Sequence, residues 1–324
     1  MTETTKEHKV TAKRYNSSDA DVWNHFVETS RNGTFLHMRG YMDYHSGRFT
    51  DHSLMFYNNS KLIAILPAHI ENNILCSHCG ITYGGLLLDE STTTEATMDI
   101  FDSLRAYLTD NTTVTGIIYK PAPHIYHKYP CEEDIYALFR NGAILTECKV
   151  SSAIELCNPI SPKGRRKLTV AMKSRLHIKE ENDYKRFWDI LGNRLHSKYG
   201  VAPVHTLDEI TLLHKRFPDN IRLFTVQDND GNILGGTVIY ITDRTAHMQY
   251  SGTTEEGRRT SALDYLYEHL INNVFTSKRF FDFGISVEEG GHFLNSGLIA
   301  YKERLGGRAV TYCTYYIDLK DKHS

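Results

Sequence analysis

The sequence lacks the features that mark several large classes of protein. It has no apolar run near the roughly 18 residues that a membrane-spanning helix needs. Residues 1–13 are polar and of mixed charge, without the apolar segment of a signal peptide. With 8 Pro and 40% hydrophobic residues among 324, the composition also argues against a disordered or collagen-like chain. We therefore expect a soluble, cytoplasmic, globular protein.

Cysteine content and net charge exclude further classes. The six cysteines are scattered, which suits a reducing compartment better than a disulfide framework. Cys76 and Cys79 flank a histidine, but no second ligand pair follows at the spacing of a zinc site, so no metal is expected. The net charge of −2 gives no overall field that would attract nucleic acid. An anionic ligand would need a local basic patch.

Motifs for covalent catalysis and nucleotide hydrolysis are also missing. The sequence contains no Gly-x-Ser-x-Gly elbow, no P-loop and no His-Glu-x-x-His pair. A serine nucleophile, a P-loop phosphate site and a zinc protease centre therefore have no support.

The helix and strand patterns follow the same order in the two halves of the chain. Strands at 62–70 and 233–241 are offset by 171 residues, helices from 94 and 262 by 168, and strands from 114 and 280 by 166. Nearly constant offsets across three elements predict two copies of one α/β unit with mixed, mainly antiparallel sheets. We place the N-terminal lobe at 1–155 and the C-terminal lobe at 156–324.

A set of short motifs carries a resemblance to a known family. They are Leu62-Ile-Ala-Ile-Leu-Pro67, Tyr83-Gly84-Gly85, a basic helix after Ser161, Tyr250-Ser-Gly252, Asp282-Phe-Gly284, and Tyr301-Lys302-Glu303 with Gly306-Gly307. In this order and spacing the chain resembles the FemAB-like acyltransferases of the GNAT superfamily, of the tandem, BioF2-like acetyltransferase type. The resemblance implies two GNAT folds in tandem and a role in cell-envelope or polysaccharide biosynthesis.

The resemblance also implies where an acyl donor binds. In a GNAT fold two strands splay to expose backbone groups to the pantetheine arm, and the next helix presents its N-terminus to the pyrophosphate. The matching loop makes Gly257, Arg258, Arg259, Thr260 and Ser261 candidate residues for binding acyl-CoA. The loop departs from the usual Gln/Arg-x-x-Gly-x-Gly/Ala pattern because no second glycine follows the arginines. An ordinary capped helix start is the alternative.

Three residues are candidates for catalysis. Lys302 matches the lysine that the family uses in handling the donor, and an ammonium near a developing oxyanion stabilises the transition state. Asp282 would orient Lys302 or accept the amine proton, and Tyr250 lies in a neighbouring motif. A buried structural salt bridge is the alternative for Lys302 and Asp282.

A basic helix over 161–176 is a candidate acceptor site. Ser161 suits the N-cap and Pro162 the first helical position. Lys163, Arg166 and Lys173 then share one face, which would bind the phosphates of a nucleotide-linked or lipid-linked acceptor. Tyr83 and Gly84 are further candidates for substrate binding. A solvated linker helix is the alternative.

Together these features predict an N-acyltransferase with a small-molecule donor and acceptor. The acyl group, from acyl-CoA, would go to the amine of an amino sugar or related cell-envelope precursor by direct attack, without a protein nucleophile. One alternative is FemX-like transfer from aminoacyl-tRNA to a peptidoglycan precursor, against which stand the near-neutral charge and the lack of a coiled-coil insertion. The other is a non-catalytic binding module.

Overall fold

The computed structural model describes residues 10–78, 80–159 and 175–320. The chain divides into two compact units. One comprises the residues up to Lys149 together with those from Thr311 onward, and the other comprises Val150–Val310. None of the helices in these described ranges is both long and apolar enough to cross a membrane.

The first unit packs helices against short, mainly antiparallel strands. Its helices are α1 (Ala20–Thr29), α2 (Arg39–Met42), α3 (Thr94–Asn111) and α4 (Glu133–Arg140). Its strands are β1 (Val10–Arg14), β2 (Leu54–Asn58), β3 (Lys61–Leu66), β4 (His69–Glu71), β5 (Ile74–Cys76), β6 (Leu87–Leu88), β7 (Gly116–Tyr119) and the start of β8 (Ile144–Glu155). One sheet has the order β1-β2-β3-β6, and β5 pairs in parallel with β7.

The second unit holds the longest strands and the helices that cover them. Its strands are β9 (His177–Glu181), β10 (Ile221–Gln227), β11 (Ile233–Ile241), β12 (Thr245–Thr253), β13 (Phe280–Ile285), β14 (Val287–Glu288), β15 (Phe293–Leu294) and the start of β16 (Arg308–Asp318). Its helices are α5 (Lys185–Tyr199), α6 (Leu207–Arg216), α7 (Glu255–Arg259), α8 (Ala262–His269) and α9 (Ser296–Arg304). The order from the end of β8 is β8-β13-β12-β11-β10-β9.

Helices cover both faces of the sheet in the second unit. All nine residues of β11 are buried, which fits a central strand whose two faces are both packed. A Cβ on Gly236 would lie 2.8 Å from Phe187 of α5, and one on Gly235 would lie 3.3 Å from Leu263 of α8. Helix α5 therefore lies on one face of the sheet and α8 on the other.

The predicted fold class is confirmed. The paired elements are of the predicted types, with β3, α3 and β7 in the first half and β11, α8 and β13 in the second. The ladders are mainly antiparallel, with parallel exceptions at β5–β7 and β12–β13.

The last strand differs from the division expected from the sequence. A boundary at residue 155 would assign the whole of β16 to the C-terminal lobe. In the structure Tyr315 of β16 pairs with Tyr119 of β7, and the residues from Thr311 onward belong to the first unit. The chain therefore returns to its first unit at its end.

Candidate active site

Strands β12 and β13 separate inside the second unit. They pair in parallel over three residues only, Thr245–His247 with Phe280–Asp282. Beyond that point β12 continues to Thr253 while paired with β11, and Ile285 of β13 pairs instead with Ser151 of β8 after a register shift. The two strands diverge after their third pair, and no other strand of the described ranges pairs with the β13-facing edge of β12 along the rest of its length.

Asp282 is the centre of a buried hydrogen-bond network at this separation. Its side chain is fully buried. Its Oδ1 accepts hydrogen bonds from the Ser151 hydroxyl at 2.5 Å and the Gly284 N–H at 3.1 Å. Its Oδ2 lies 2.9 Å from Nδ1 of His247. Gly284 has φ +74°, a left-handed conformation that favours glycine and turns its N–H back toward the carboxylate.

Lys302 joins the same network from α9. Its residue is only 3% exposed, and its Nζ donates to the carbonyl oxygens of Gly284 at 2.7 Å and Ile285 at 2.8 Å. Burial lowers the pKa of Lys302 to about 8, and the negative charge of Asp282 opposes that shift. Two motifs that are separated in the sequence, Asp-Phe-Gly and Tyr-Lys, therefore meet where β13 bends away from β12.

His247 was not selected from the sequence, although the structure places it directly against Asp282. It is one of 17 histidines and belongs to no recognised motif. The parallel register makes His247 and Asp282 Cα partners. Because α7 and α8 separate the two strands, their register is set by tertiary packing, and no spacing in the sequence encodes it.

Tyr250 lies on β12, and its side chain contacts His205 and Trp188. Its hydroxyl bonds Nδ1 of His205, and its ring meets Trp188 edge to face at 5.0 Å between centroids. Burial raises the pKa of Tyr250 to about 12, so the phenol is protonated at neutral pH. It can donate a hydrogen bond but cannot act as a base there.

Most backbone N–H groups of the predicted donor loop donate hydrogen bonds to other groups of the protein. The N–H groups of Gly257 and Arg258 both donate to Thr254, and the N–H of Thr260 donates to the carbonyl of Glu256. The N–H of Ser261 donates to the carbonyl of Arg258, and its left-handed backbone (φ 59°) separates α7 from α8.

The side chains of this loop divide into packed and exposed positions. A Cβ on Gly257 would lie 2.1 Å from the carbonyl oxygen of Leu234, so glycine permits close packing on β11. Arg258 and Arg259 are exposed, and Arg259 pairs with Glu256. Arg258 is therefore the loop arginine whose guanidinium has no salt-bridge partner among the pairs found in the described residues.

Two of the predicted substrate residues, Tyr83 and Gly84, belong to the first unit. Tyr83 is 2% exposed and packs its ring on Tyr126 at 4.4 Å between centroids. Gly84 donates its N–H to the carbonyl of Lys120, and a Cβ there would lie 2.0 Å from the carbonyl oxygen of Ser77. The basic-helix residues lie outside the described residues: Lys163, Arg166 and Lys173.

Metal ligands are not grouped in the part of the chain that the structure describes. No cluster of three or more His, Cys, Asp or Glu side chains with the geometry to hold a metal ion occurs there.

Comparisons with known proteins identify the segment that contains His247, Asp282 and Lys302. Residues 162–303 match the family model described as an acetyltransferase (GNAT) domain. No curated protein matches the chain.

Solved structures show the fold over nearly the whole chain. FemX is 10% identical, and the match covers 95% of this chain and 98% of that one with a TM-score of 0.68. L-PGS from Bacillus licheniformis is 11% identical, with coverages of 93% and 91% and a TM-score of 0.59. The C-terminal domain of a putative lysylphosphatidylglycerol synthetase from Agrobacterium fabrum is 11% identical, with coverages of 94% and 92% and a TM-score of 0.59.

Residues 162–303 therefore carry a GNAT acetyltransferase domain, and the chain that contains this domain is an acyltransferase. The likeness to FemX further shows that the chain shares the fold of that protein over 95% of its length. The predicted resemblance and the predicted enzyme class are therefore confirmed.

Proposed function

We propose that this protein is an N-acyltransferase that transfers an acyl group from acyl-CoA to the amine of an amino sugar or related cell-envelope or polysaccharide precursor. The separation of β12 from β13 carries the proposal. Beyond Asp282, β13 turns toward β8, and the edge of β12 up to Thr253 presents backbone N–H and C=O groups. An unpaired strand edge binds an extended chain of amides, and the pantetheine arm of acyl-CoA is such a chain.

The region after β12 supports binding of the donor's phosphates, but by other groups than the backbone of residues 257–261. Helix α8 starts at Ala262, and the N–H groups of a first helical turn attract anions. Because the N–H groups of Gly257 to Ser261 mostly donate within the protein, we assign the phosphate contacts to this first turn and to the exposed Arg258. Asp264 in the same turn is paired with Arg304 at 3.5 Å, which reduces its repulsion of an anion.

Lys302 and Asp282 are assigned to the reacting centre. Lys302 places a buried cation beside the end of β13, where it would stabilise negative charge that develops on the thioester oxygen. Asp282 contributes through His247, which it holds by Nδ1. Tyr250 contributes a protonated hydroxyl on the same strand.

Acceptor phosphates are assigned to the basic segment. Lys163, Arg166 and Lys173 would bind the phosphates of a nucleotide-linked or lipid-linked sugar. Tyr83 and Gly84 are assigned to shaping the substrate site through the packing of the first unit.

Binding of CoA and of acetyl-CoA tests the proposed function. At 100 times its Kd, CoA should stabilise the native state by about 2.7 kcal/mol, which calorimetry and thermal denaturation would both detect. Arg258→Glu should weaken binding of CoA at low salt but leave pantetheine unaffected, because only CoA carries phosphates. Lys215→Glu, an exposed change of the same sign on α6, is the matched control.

Two results would contradict the proposal. Absence of CoA and acetyl-CoA binding at millimolar concentration would remove the donor. Acyl transfer from aminoacyl-tRNA, combined with none from acetyl-CoA, would favour the FemX-like alternative.

A further inference from the structure

Strand β12 contains a β-bulge just beyond the point where it leaves β13. In its ladder with β11, Tyr250 pairs with Val238 and Met248 pairs with Ile239. Gln249 is therefore the extra residue of the bulge. A bulge interrupts the strict alternation of side chains along a strand, so it can bring neighbouring side chains to one face.

One face of β12 packs on α8. Ala246 and Met248 belong to the apolar core that includes Leu266 of α8. The Ser251 hydroxyl bonds the hydroxyl of Tyr267, also on α8. Residues 246, 248 and 251 therefore share the α8 face. In a regular strand the residues of one face are two apart, so the step of three from 248 to 251 marks the bulge.

The opposite face of β12 looks toward α5. Tyr250 contacts Trp188 of α5, and a Cβ on Gly252 would lie 3.3 Å from Cα of Leu191 in the same helix. Gln249 lies on this face too, because its side chain forms a hydrogen bond with Tyr250. His247 alternates with residues 246 and 248 and so shares the face.

The bulge thus gathers three polar side chains on the α5 face, and one of them has an unsatisfied acceptor. Oε1 of Gln249 is buried and receives no hydrogen bond from the described residues. A buried amide oxygen without a donor is destabilising, and a ligand that supplies an N–H or O–H would remove that cost.

His247 adds a second acceptor with a defined orientation. Its Nδ1 faces the fully buried carboxylate of Asp282, which favours the tautomer with the proton on Nδ1 and makes Nε2 the basic nitrogen. The His247 side chain is 11% exposed, whereas that of Asp282 is 0% exposed. His247 is therefore the member of the pair whose side chain retains exposed surface. Among the described residues, Asp282 on β13 faces it directly, and Lys302 on α9 interacts with Asp282.

We infer that His247, Gln249 and Tyr250 form the site for the acceptor's primary amine on the α5 face of β12. Gln249 Oε1 accepts one N–H of the amine and orients its lone pair, and His247 Nε2 takes the proton. This assignment rests on the proposed acyltransferase function. It adds the residues that hold the amine and the general base, neither of which the donor cleft specifies.

The proton and the electron pairs balance in the resulting transfer. The nitrogen lone pair forms the C–N bond with the donor's carbonyl carbon, and the C–S electrons leave on the CoA sulfur. The proton lost by nitrogen passes to His247 Nε2 and from there to the thiolate. Amide and free CoA thiol are the products.

Release of CoA thiol from acetyl-CoA with glucosamine, galactosamine and ethanolamine as probe amines tests the inference. Gln249→Met, which keeps length but removes the acceptor, should raise the KM for the amine by about tenfold or more and change the KM for acetyl-CoA by less than about twofold. His247→Ala should lower kcat by about 10²–10⁴-fold. Added imidazole should restore part of that loss, which a structural role for His247 would not allow.

The remaining outcomes separate this inference from the proposed function. His177→Gln, a change at an exposed strand histidine of the same unit, is the control and should behave as wild type. Wild-type protein that binds acetyl-CoA but acylates none of the amines overturns the amine site, as do Gln249→Met and His247→Ala variants with wild-type kinetics. Failure to bind acetyl-CoA overturns the proposed function as well.

Discussion

Replacement of Lys302 by methionine should change stability in a way that depends on pH. The pKa of Lys302 is lowered by burial from 10.5 to about 8 in the folded protein. Between these values the unfolded chain binds more protons than the folded one, so the wild-type protein should gain stability as the pH rises. Methionine cannot titrate, and the variant should lack that gain.

The size of the effect follows from the two pKa values. From pH 7, linkage through a shift from 10.5 to about 8 adds about 1.4 kcal/mol to the wild-type free energy of unfolding by pH 9 and about 2.5 kcal/mol by pH 10. At pH 7 the variant leaves the carbonyls of Gly284 and Ile285 without their donor, at roughly 1–3 kcal/mol each. Removal of the buried ammonium returns about 3 kcal/mol, so the net loss near neutrality is small, on the order of 1 kcal/mol.

Urea denaturation of both proteins at pH 7, 8 and 9 and constant ionic strength measures this difference. The destabilisation by Lys302→Met should grow steadily with pH. Lys185→Met, the same chemical change at an exposed position on α5, is the control and should give a constant difference. If the destabilisation by Lys302→Met were also independent of pH, the conclusion that Lys302 is a buried amine with a lowered pKa would be wrong. Turnover of the same samples at equal folded fraction then reports whether Lys302 also acts in catalysis.

Two further predictions concern the backbone at the strand separation and the core of the first unit. Gly284→Ala should lower the free energy of unfolding by about 1–2 kcal/mol, because φ +74° is strained for alanine. An unchanged denaturation midpoint would contradict the left-handed conformation of Gly284. Burial raises the pKa of Asp134 to about 7 from 3.8, so the folded protein binds more protons between these values and loses stability as the pH rises through that window. Denaturation from pH 4 to 7 should therefore show wild type losing stability relative to Asp134→Asn, and parallel profiles would argue against a buried carboxyl bonded by Tyr119.

The sequence by itself determined the order of the elements and the class of the protein. The period of apolar residues is a local property, and it identified β11, α8 and β13 and their counterparts in the first half. The motifs around Asp282 and Lys302 carried the resemblance because residue types and spacing are also local features of the chain. The same patterns suggested Asp282 and Lys302 of the buried network, but not His247.

Only the tertiary structure decided how those residues act together. The register between β12 and β13, which is set across α7 and α8, brings His247 to Asp282. The bulge at Gln249 depends on how β12 meets β11 and reverses the face that simple alternation assigns to Tyr250. Burial of Lys302 follows from the packing of α9 on the bend of β13. This burial lowers the pKa of the lysine and leads its amine to bond backbone carbonyls instead of water. Pairing, bulges and burial arise from contacts between distant segments, so local sequence patterns do not carry them.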